Sequence, residues 1–240
     1  MNTVGIVLAS GSGQRFDVKD VPKHLTLILE IPIIIWTLDS IIKSKIFSSV
    51  VVVTRDEDVL KTKKIINKYF PDDVTFIRVT TGSSERIQSF FLGLDDLSSA
   101  NLLEKKTIIG LFDANRPFTP ISQLEELYKA VLEFGCSCPV RPVVNGIAQI
   151  DSGRIVGVPE KSKYAEYVTP EFIQFDMLNT AIEVSGKTFS SLVEYALDSK
   201  VEPAICSASI LNSKLTFPED KTYLEGLAID KDLLSYLLIN

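Results

Sequence analysis

Val4-Gly5-Ile6-Val7-Leu8-Ala9-Ser10-Gly11-Ser12-Gly13-Gln14-Arg15 decides the fold. Its first six residues form an almost continuous apolar run, the pattern of a strand covered on both faces. The glycines that follow let a backbone turn sharply and approach phosphate oxygens. Successive N–H groups of such a loop make an anion-binding nest. Arg15, and Lys23 after Pro22, would supply the positive charge that a backbone lacks. Two well-known glycine loops do not fit: the third glycine and the acidic partner of the dinucleotide fingerprint are missing, and there is no Gly-Lys-Ser/Thr. An ordinary strand-to-helix turn is the alternative reading of this loop taken alone.

Working outward, residues 50–54, 74–79 and 107–112 read as three further buried strands. Between them lie helical patterns. One follows Pro32 with Ile34, Leu38, Ile41 and Ile42 on one face, and a charged one covers 56–70. A third covers 83–97 with Ile87, Phe90, Phe91, Leu94 and Leu97, and a fourth covers 121–134 with Leu124, Leu127 and Val131 inward. Four strands alternating with helices imply right-handed crossovers. The expected architecture is α/β, a Rossmann-like three-layer sandwich with a mostly parallel central sheet. Ligands of such sheets bind beyond the carboxyl ends of the strands. After Pro139 the rhythm breaks, and residues 139–168 are predicted to form a β-rich arm protruding from a single domain spanning 1–240. Helices are expected at 173–184 and 190–197, a last strand at 204–208, and a closing helix from Pro218.

Composition narrows the function. The net charge of −6 over 240 residues provides no basic field for nucleic acid. The most apolar stretch, residues 25–38, is broken by Glu30 and Pro32 and is too short to span a bilayer. No secretory pattern opens the chain. Three cysteines, Cys136, Cys138 and Cys206, form no disulfide framework and suit a reducing cytoplasm. With His24 the only histidine, Cys136-Ser-Cys138 reads as core rather than as a metal site.

Three more segments fall where the fold predicts chemistry. Gly82-Ser83-Ser84-Glu85-Arg86-Ile87-Gln88-Ser89 follows the third strand, with Arg86 and Ser89 three apart on one helical face. A polar pair at an open helix start suits a nucleobase or phosphate, and capping by Ser83 or Ser84 beside a solvated arginine is the plainer account. Phe112-Asp113-Ala114-Asn115-Arg116-Pro117 follows the fourth strand. There a carboxylate can meet Mg²⁺ and substrate phosphates, and Arg116 can clamp a phosphate; a turn-forming run is the alternative. Asn212-Ser213-Lys214-Leu215-Thr216 offers another cation near the C-terminus.

Taken together, these segments resemble the cytidylyltransferase family that includes 2-C-methyl-D-erythritol 4-phosphate cytidylyltransferase and ribitol 5-phosphate cytidylyltransferase. Ala9–Phe16 with Pro22-Lys23 is similar to A-[AG]-G-x-G-x-R-[MF] … P-K, and Gly82–Ser89 to G-G-x-x-R-x-x-S. Residues 112–117 resemble H-D-[AS]-x-R-P, Thr169-Pro170-Glu171 echoes T-P-Q, and residues 212–216 resemble N-x-K-[IV]-T. The resemblance implies that Ala9, Ser10, Gly11 and Gly13 wrap the triphosphate of CTP, with Arg15 and Lys23 neutralising it. It implies that Gly82, Arg86, Ser89 and Ala114 hold the rest of the nucleotide and that Asp113 sits by Mg²⁺. Lys214 would meet the α-phosphate, and Arg116, Lys161 and Thr169 the phosphorylated acceptor. It further implies a homodimer in which the arm reaches the neighbour's site.

The sequence departs from the family at several positions, and most acceptor-side residues have changed while most triphosphate-side ones survive. Ser83 replaces the second glycine, Phe112 the histidine, and Pro139-Val140-Arg141-Pro142-Val143 stands for P-V-x-D-T. Lys161 stands for the arm's arginine, and Phe189-Ser190-Ser191 lacks the acid of F-T-[DE]. The expected reaction is CMP transfer from CTP to a small phosphorylated polyol, with pyrophosphate leaving. A nucleotide-binding homologue without catalysis and a glycosyltransferase are the rival readings. Against the latter, Asp113-Ala114-Asn115 lacks the second acid of an Asp-x-Asp metal motif.

Overall fold

The computed structural model describes residues 2–11 and 21–229. In chain order the strands and helices are β1 (Thr3–Leu8), β2 (Leu27–Ile28), β3 (Ile31–Pro32), α1 (Ile33–Ser44), β4 (Ser49–Thr54), α2 (Val59–Tyr69), β5 (Ile77–Thr81) and α3 (Arg86–Ser99). They continue with β6 (Ile108–Asp113), α4 (Ile121–Phe134), β7 (Cys136–Pro142), β8 (Gln149–Asp151), β9 (Arg154–Gly157), β10 (Ala165–Tyr167), β11 (Glu171–Gln174) and α5 (Phe175–Ser185). The last are α6 (Leu192–Asp198), β12 (Ala204–Ser207) and α7 (Glu219–Ile229).

Every residue of β1, β4 and β6 is buried, because these strands form the middle of the sheet and carry helices on both faces. Alternate side chains sort the layers. Val7, Val50, Val52 and Phe112 pack against Leu38 and Ile41 of α1, Ile66 of α2 and Leu124, Leu127 and Val131 of α4. Their neighbours Ile6, Val51, Val53 and Leu111 pack against Phe90, Leu94 and Leu97 of α3, Leu178 of α5 and Tyr195 of α6. Each such fully buried aliphatic side chain contributes about 1.5–3 kcal/mol. Gly93 lets α3 lie close to the sheet: a Cβ there would meet Val53 Cγ2 at 2.8 Å and Ile6 Cγ2 at 2.9 Å.

β6, β1, β4 and β5 are parallel, joined in the order expected of βαβ units. Beyond β6 the sheet becomes mixed. β11 inserts antiparallel between β6 and β7, and β7 pairs antiparallel with β10 and parallel with β12. The sequence reading missed β11, assigning residue 173 onward to a helix that begins only at Phe175. Four residues, of which Phe172 and Ile173 are fully buried, are too few for periodicity to separate a strand from the helix that follows directly. The third strand starts later than expected, because a short helical turn over Pro71–Asp73 leaves Val74 exposed before β5 begins.

The predicted arm start at 139 also shifts, since β7 is a sheet strand from Cys136, with Cys136 and Cys138 in the core. The protruding part is the β8–β9 hairpin, which turns through Ser152 and Gly153, both at positive φ. A third core cluster joins Ile28, Ile33, Trp36 and Phe118 to Leu215 and to Leu224 and Ala228 of α7. That cluster anchors the segment carrying Lys214 to α1 and to the loop after β6. No helix among the described residues is long and apolar enough to cross a membrane.

Candidate functional site

The carboxyl ends of β1, β4, β5 and β6 lie side by side, and the turns leaving them are tied together. Ala9 N donates to Val53 O at 2.8 Å, Ala114 N to Leu8 O at 3.0 Å, and Gly82 N to Thr54 O at 2.6 Å. Ser10 and Ser89, both buried, share a hydrogen bond of 2.7 Å between their hydroxyls, and Ser83 N donates to the Ser89 hydroxyl at 2.9 Å. Gly82 sits against this pair, where a Cβ would meet Val53 Cγ1 at 2.8 Å and both Ser10 Cβ and Ser89 Oγ at 3.0 Å. Ser10 and Ser89, expected at the nucleotide, are thus bonded to each other and hold the loops after β1 and β5 in register. Neither Ser83 nor Ser84 caps α3, whose N-cap is Glu85 in extended backbone. The helix start therefore remains open.

Asp113, the last residue of β6, is the centre of the charge. Lys214 Nζ donates to its Oδ2 at 2.7 Å, and Arg116 Nε lies 3.7 Å from the same oxygen. Arg86 Nη2 approaches Oδ1 at 3.5 Å. Burial by itself would raise the carboxyl's pKa, but Lys214, Arg86 and Arg116 outweigh it and hold Asp113 well below the ordinary carboxylate range. Three cations around one carboxylate leave a positive excess at the sheet's carboxyl edge. Burial depresses the Arg116 pKa, with Asp113 acting against that pull.

Lys214 reaches this place through backbone and side-chain ties. Leu215 N donates to Asn115 O at 2.9 Å and Asn115 Nδ2 to Leu215 O at 2.7 Å. Lys23 Nζ donates to Thr216 O at 3.1 Å, which brings the second expected catalytic lysine to the same segment. Beside it, the His24 ring lies buried, 2.9 Å from the Thr62 hydroxyl and within a hydrogen bond of the Ala9 backbone. Burial first, then Arg55 and Lys61, bring its pKa down to about 4, so it is neutral at pH 7.

The sequence reading left Asn212, Arg141 and Glu171 without roles, and the structure places all three here. Asn212 O accepts from Arg116 Nη1 at 2.9 Å and from Arg141 Nη2, while Asn212 Nδ2 donates to Thr169 O at 2.8 Å. Asn212 thereby fixes two guanidiniums and the Thr169 turn together. Its place in the segment resembling N-x-K was the available signal. Glu171 lies beneath Arg86, 3.7 Å from Nη2.

Not every expected residue gathers. Gly13 and Arg15 lie outside the described residues. Gly11 is exposed with open space around its Cα, and Ala9 and Ala114 are buried at the strand ends. Lys161 stands on the exposed arm and donates to Val144 O at 3.1 Å rather than to any group of the Asp113 cluster. Among the described residues no three His, Cys, Asp or Glu side chains group as a metal site.

The family model described as IspD, 2-C-methyl-D-erythritol 4-phosphate cytidylyltransferase, matches residues 3–227. The chain belongs to that family. Among cytidylyltransferases, the ribitol-5-phosphate enzyme of Lactiplantibacillus plantarum is 25% identical over 172 residues, covering 72% of this chain and 73% of that protein. The 2-C-methyl-D-erythritol 4-phosphate cytidylyltransferase of Geobacillus kaustophilus is 26% identical, covering 95% of this chain and 97% of that one. A crystal structure of 4-diphosphocytidyl-2C-methyl-D-erythritol synthase superposes with a TM-score of 0.76 at 21% identity, over 94% of this chain and 98% of the other. That likeness shows the cytidylyltransferase fold.

Proposed function

We propose that this cytidylyltransferase moves CMP from CTP to the phosphate of a small polyol phosphate and releases pyrophosphate. The observation that carries the reading is the buried Asp113 carboxylate ringed by Lys214, Arg116 and Arg86 at the carboxyl edge of the sheet. An acceptor phosphate oxygen forms a new bond to the α-phosphorus of CTP while the bond to the β-phosphate oxygen breaks, and pyrophosphate carries the charge away. The acceptor phosphate is ionised at neutral pH and requires no general base. A site whose one nearby histidine is buried, neutral and bonded to Thr62 fits such a reaction.

The protein's part is positioning and charge neutralisation. Lys23 and Lys214, with Arg15, stabilise the spreading negative charge. The open start of α3 with Arg86 receives the nucleotide, and Arg116 receives the acceptor. Asp113 would hold Mg²⁺, which neutralises triphosphate charge when bound.

The arm supports a homodimer as part of this proposal. Val144, Ile150, Ile155, Val156 and Val158 are all more than half exposed. Exposed apolar side chains of this kind are what an interface covers. Arg141, Val143, Ile147, Glu166 and Ile210 line a cavity of about 710 Å³ at the arm's root. In the dimer Lys161 and Thr169 would complete the acceptor side. The three free cysteines agree with a cytoplasmic enzyme.

A screen of polyol phosphates with CTP and Mg²⁺, read by pyrophosphate release, tests the reading. Release with 2-C-methyl-D-erythritol 4-phosphate or ribitol 5-phosphate identifies the acceptor. CTP binding without release with any acceptor would mark a nucleotide-binding homologue instead.

A further inference from the structure

Glu171 opens β11 with its side chain almost wholly inside the protein, paired in register with Leu111 of β6. Val193 N donates to Oε2 at 3.1 Å, and Oε1 lies 3.7 Å from Arg86 Nη2. The same nitrogen lies 3.5 Å from Asp113 Oδ1, so one guanidinium bridges two buried carboxylates. Arg86 Nη1 donates to Ser190 O at 2.8 Å, which ties the arginine to the turn before α6. The two acids are not equivalent. Asp113 also has Lys214 and Arg116, whereas Arg86 is the only cation in an ion pair with Glu171 among the described residues.

Burial pushes the Glu171 pKa up while Arg86 and the N–H groups of Val193 and Leu192 oppose that rise, so the carboxylate depends on its one cation. A cation that arrives with the ligand and engages Asp113 weakens Asp113's hold on Arg86 and leaves the hold of Glu171 in place. The family resemblance puts an amide at this position, so the charge is a property of this chain. We propose that Glu171 is a positioning residue that fixes the Arg86 guanidinium at the start of α3, ready for the nucleotide, while Asp113 is engaged by ligand. This inference rests on the cytidylyltransferase reading above.

Glu171→Gln keeps the shape and the acceptor for Val193 N–H while removing the charge. Two measurements test it: the ¹⁵N guanidinium signal of Arg86, assigned by its loss in Arg86→Lys, and calorimetric affinity for CTP. In the parent the Arg86 signal is expected to be sharp and slow to exchange. In Glu171→Gln it broadens, and the CTP dissociation constant rises about fivefold as the fraction of molecules with Arg86 in place falls. Tm changes little, because Arg86 keeps Asp113 and the Ser190 carbonyl as partners. In an Arg86→Met background the same change leaves CTP affinity untouched. An unaltered Arg86 signal in Glu171→Gln overturns the proposal, whether or not Tm falls, and so does an equal loss of affinity in both backgrounds. A parent that binds no CTP overturns the nucleotide reading instead, and the Arg86 signal then decides the anchoring on its own.

Discussion

Lys214 Nζ lies 2.7 Å from Asp113 Oδ2, across 101 positions of sequence. A loop just before the last helix is thereby joined to the end of the central strand β6. Among the described residues, Lys214→Ala removes the cation nearest the Asp113 carboxylate. Turnover should fall at least ~100-fold, the scale for losing one transition-state donor, with CTP affinity changed much less. Lys23→Ala should behave alike. Steady-state kinetics with pyrophosphate detection check both, and near-normal turnover in either variant would reject the assignment.

Gly82→Ala places a methyl group within 3.0 Å of Val53, Ser10 and Ser89. Two of these belong to the hydroxyl pair that aligns the nucleotide loops, so strain appears at the site and not only in the core. Overpacking of this kind costs about 1–3 kcal/mol. Chemical denaturation should show that loss, and calorimetry should show weaker CTP binding alongside it. A stable variant with unchanged affinity would mean that the loops adjust freely.

The His24 pKa of about 4 lies below its ordinary 6.5. Between these values the unfolded chain binds a proton that the folded chain refuses, so stability falls as pH drops from 6.5 towards 4. The gap corresponds to roughly 3 kcal/mol. Asp113 acts lower in the range, because its folded pKa is depressed. Its contribution is complete above the ordinary carboxylate range and is lost only as pH falls through the folded value. Urea unfolding at pH 7 and pH 4.5 tests the first effect. His24→Gln should flatten the dependence between those two pH values, and an equally steep profile in that variant would assign it elsewhere.

Ile150 and Ile155 are directly paired on the arm hairpin and both are about two-thirds exposed. Replacing both with glutamate should convert a dimer to a monomer in light scattering while leaving the Tm of the body within a few degrees. Acceptor-dependent turnover should fall with dimerisation if the arm completes the neighbouring site. A chain that is monomeric before the substitution would remove the arm from the mechanism.

Much of the site was legible because its parts obey local rules. Glycines after β1 and β5, an acid at the end of β6 and cations beside them are readable without coordinates, since a parallel sheet fixes where ligands bind. Arg86, Asp113, Arg116 and Lys214 do converge. The hydrogen bond between the Ser10 and Ser89 hydroxyls was not readable. A hydroxyl's partner depends on which loop passes nearby, and spacing along one chain does not encode that. Glu171 was visible only as an acid in place of an amide.

The amino-acid sequence alone determined the αβ alternation, the buried strands and the segments that would carry charge, because periodicity and turn chemistry act over a few residues. Tertiary structure decided the insertion of β11 beside β6, the bridging of two buried carboxylates by Arg86, and the seating of Lys214 against Asp113. Those depend on contacts between segments 27 to 101 positions apart, where low-dielectric burial makes a misplaced charge too costly to tolerate.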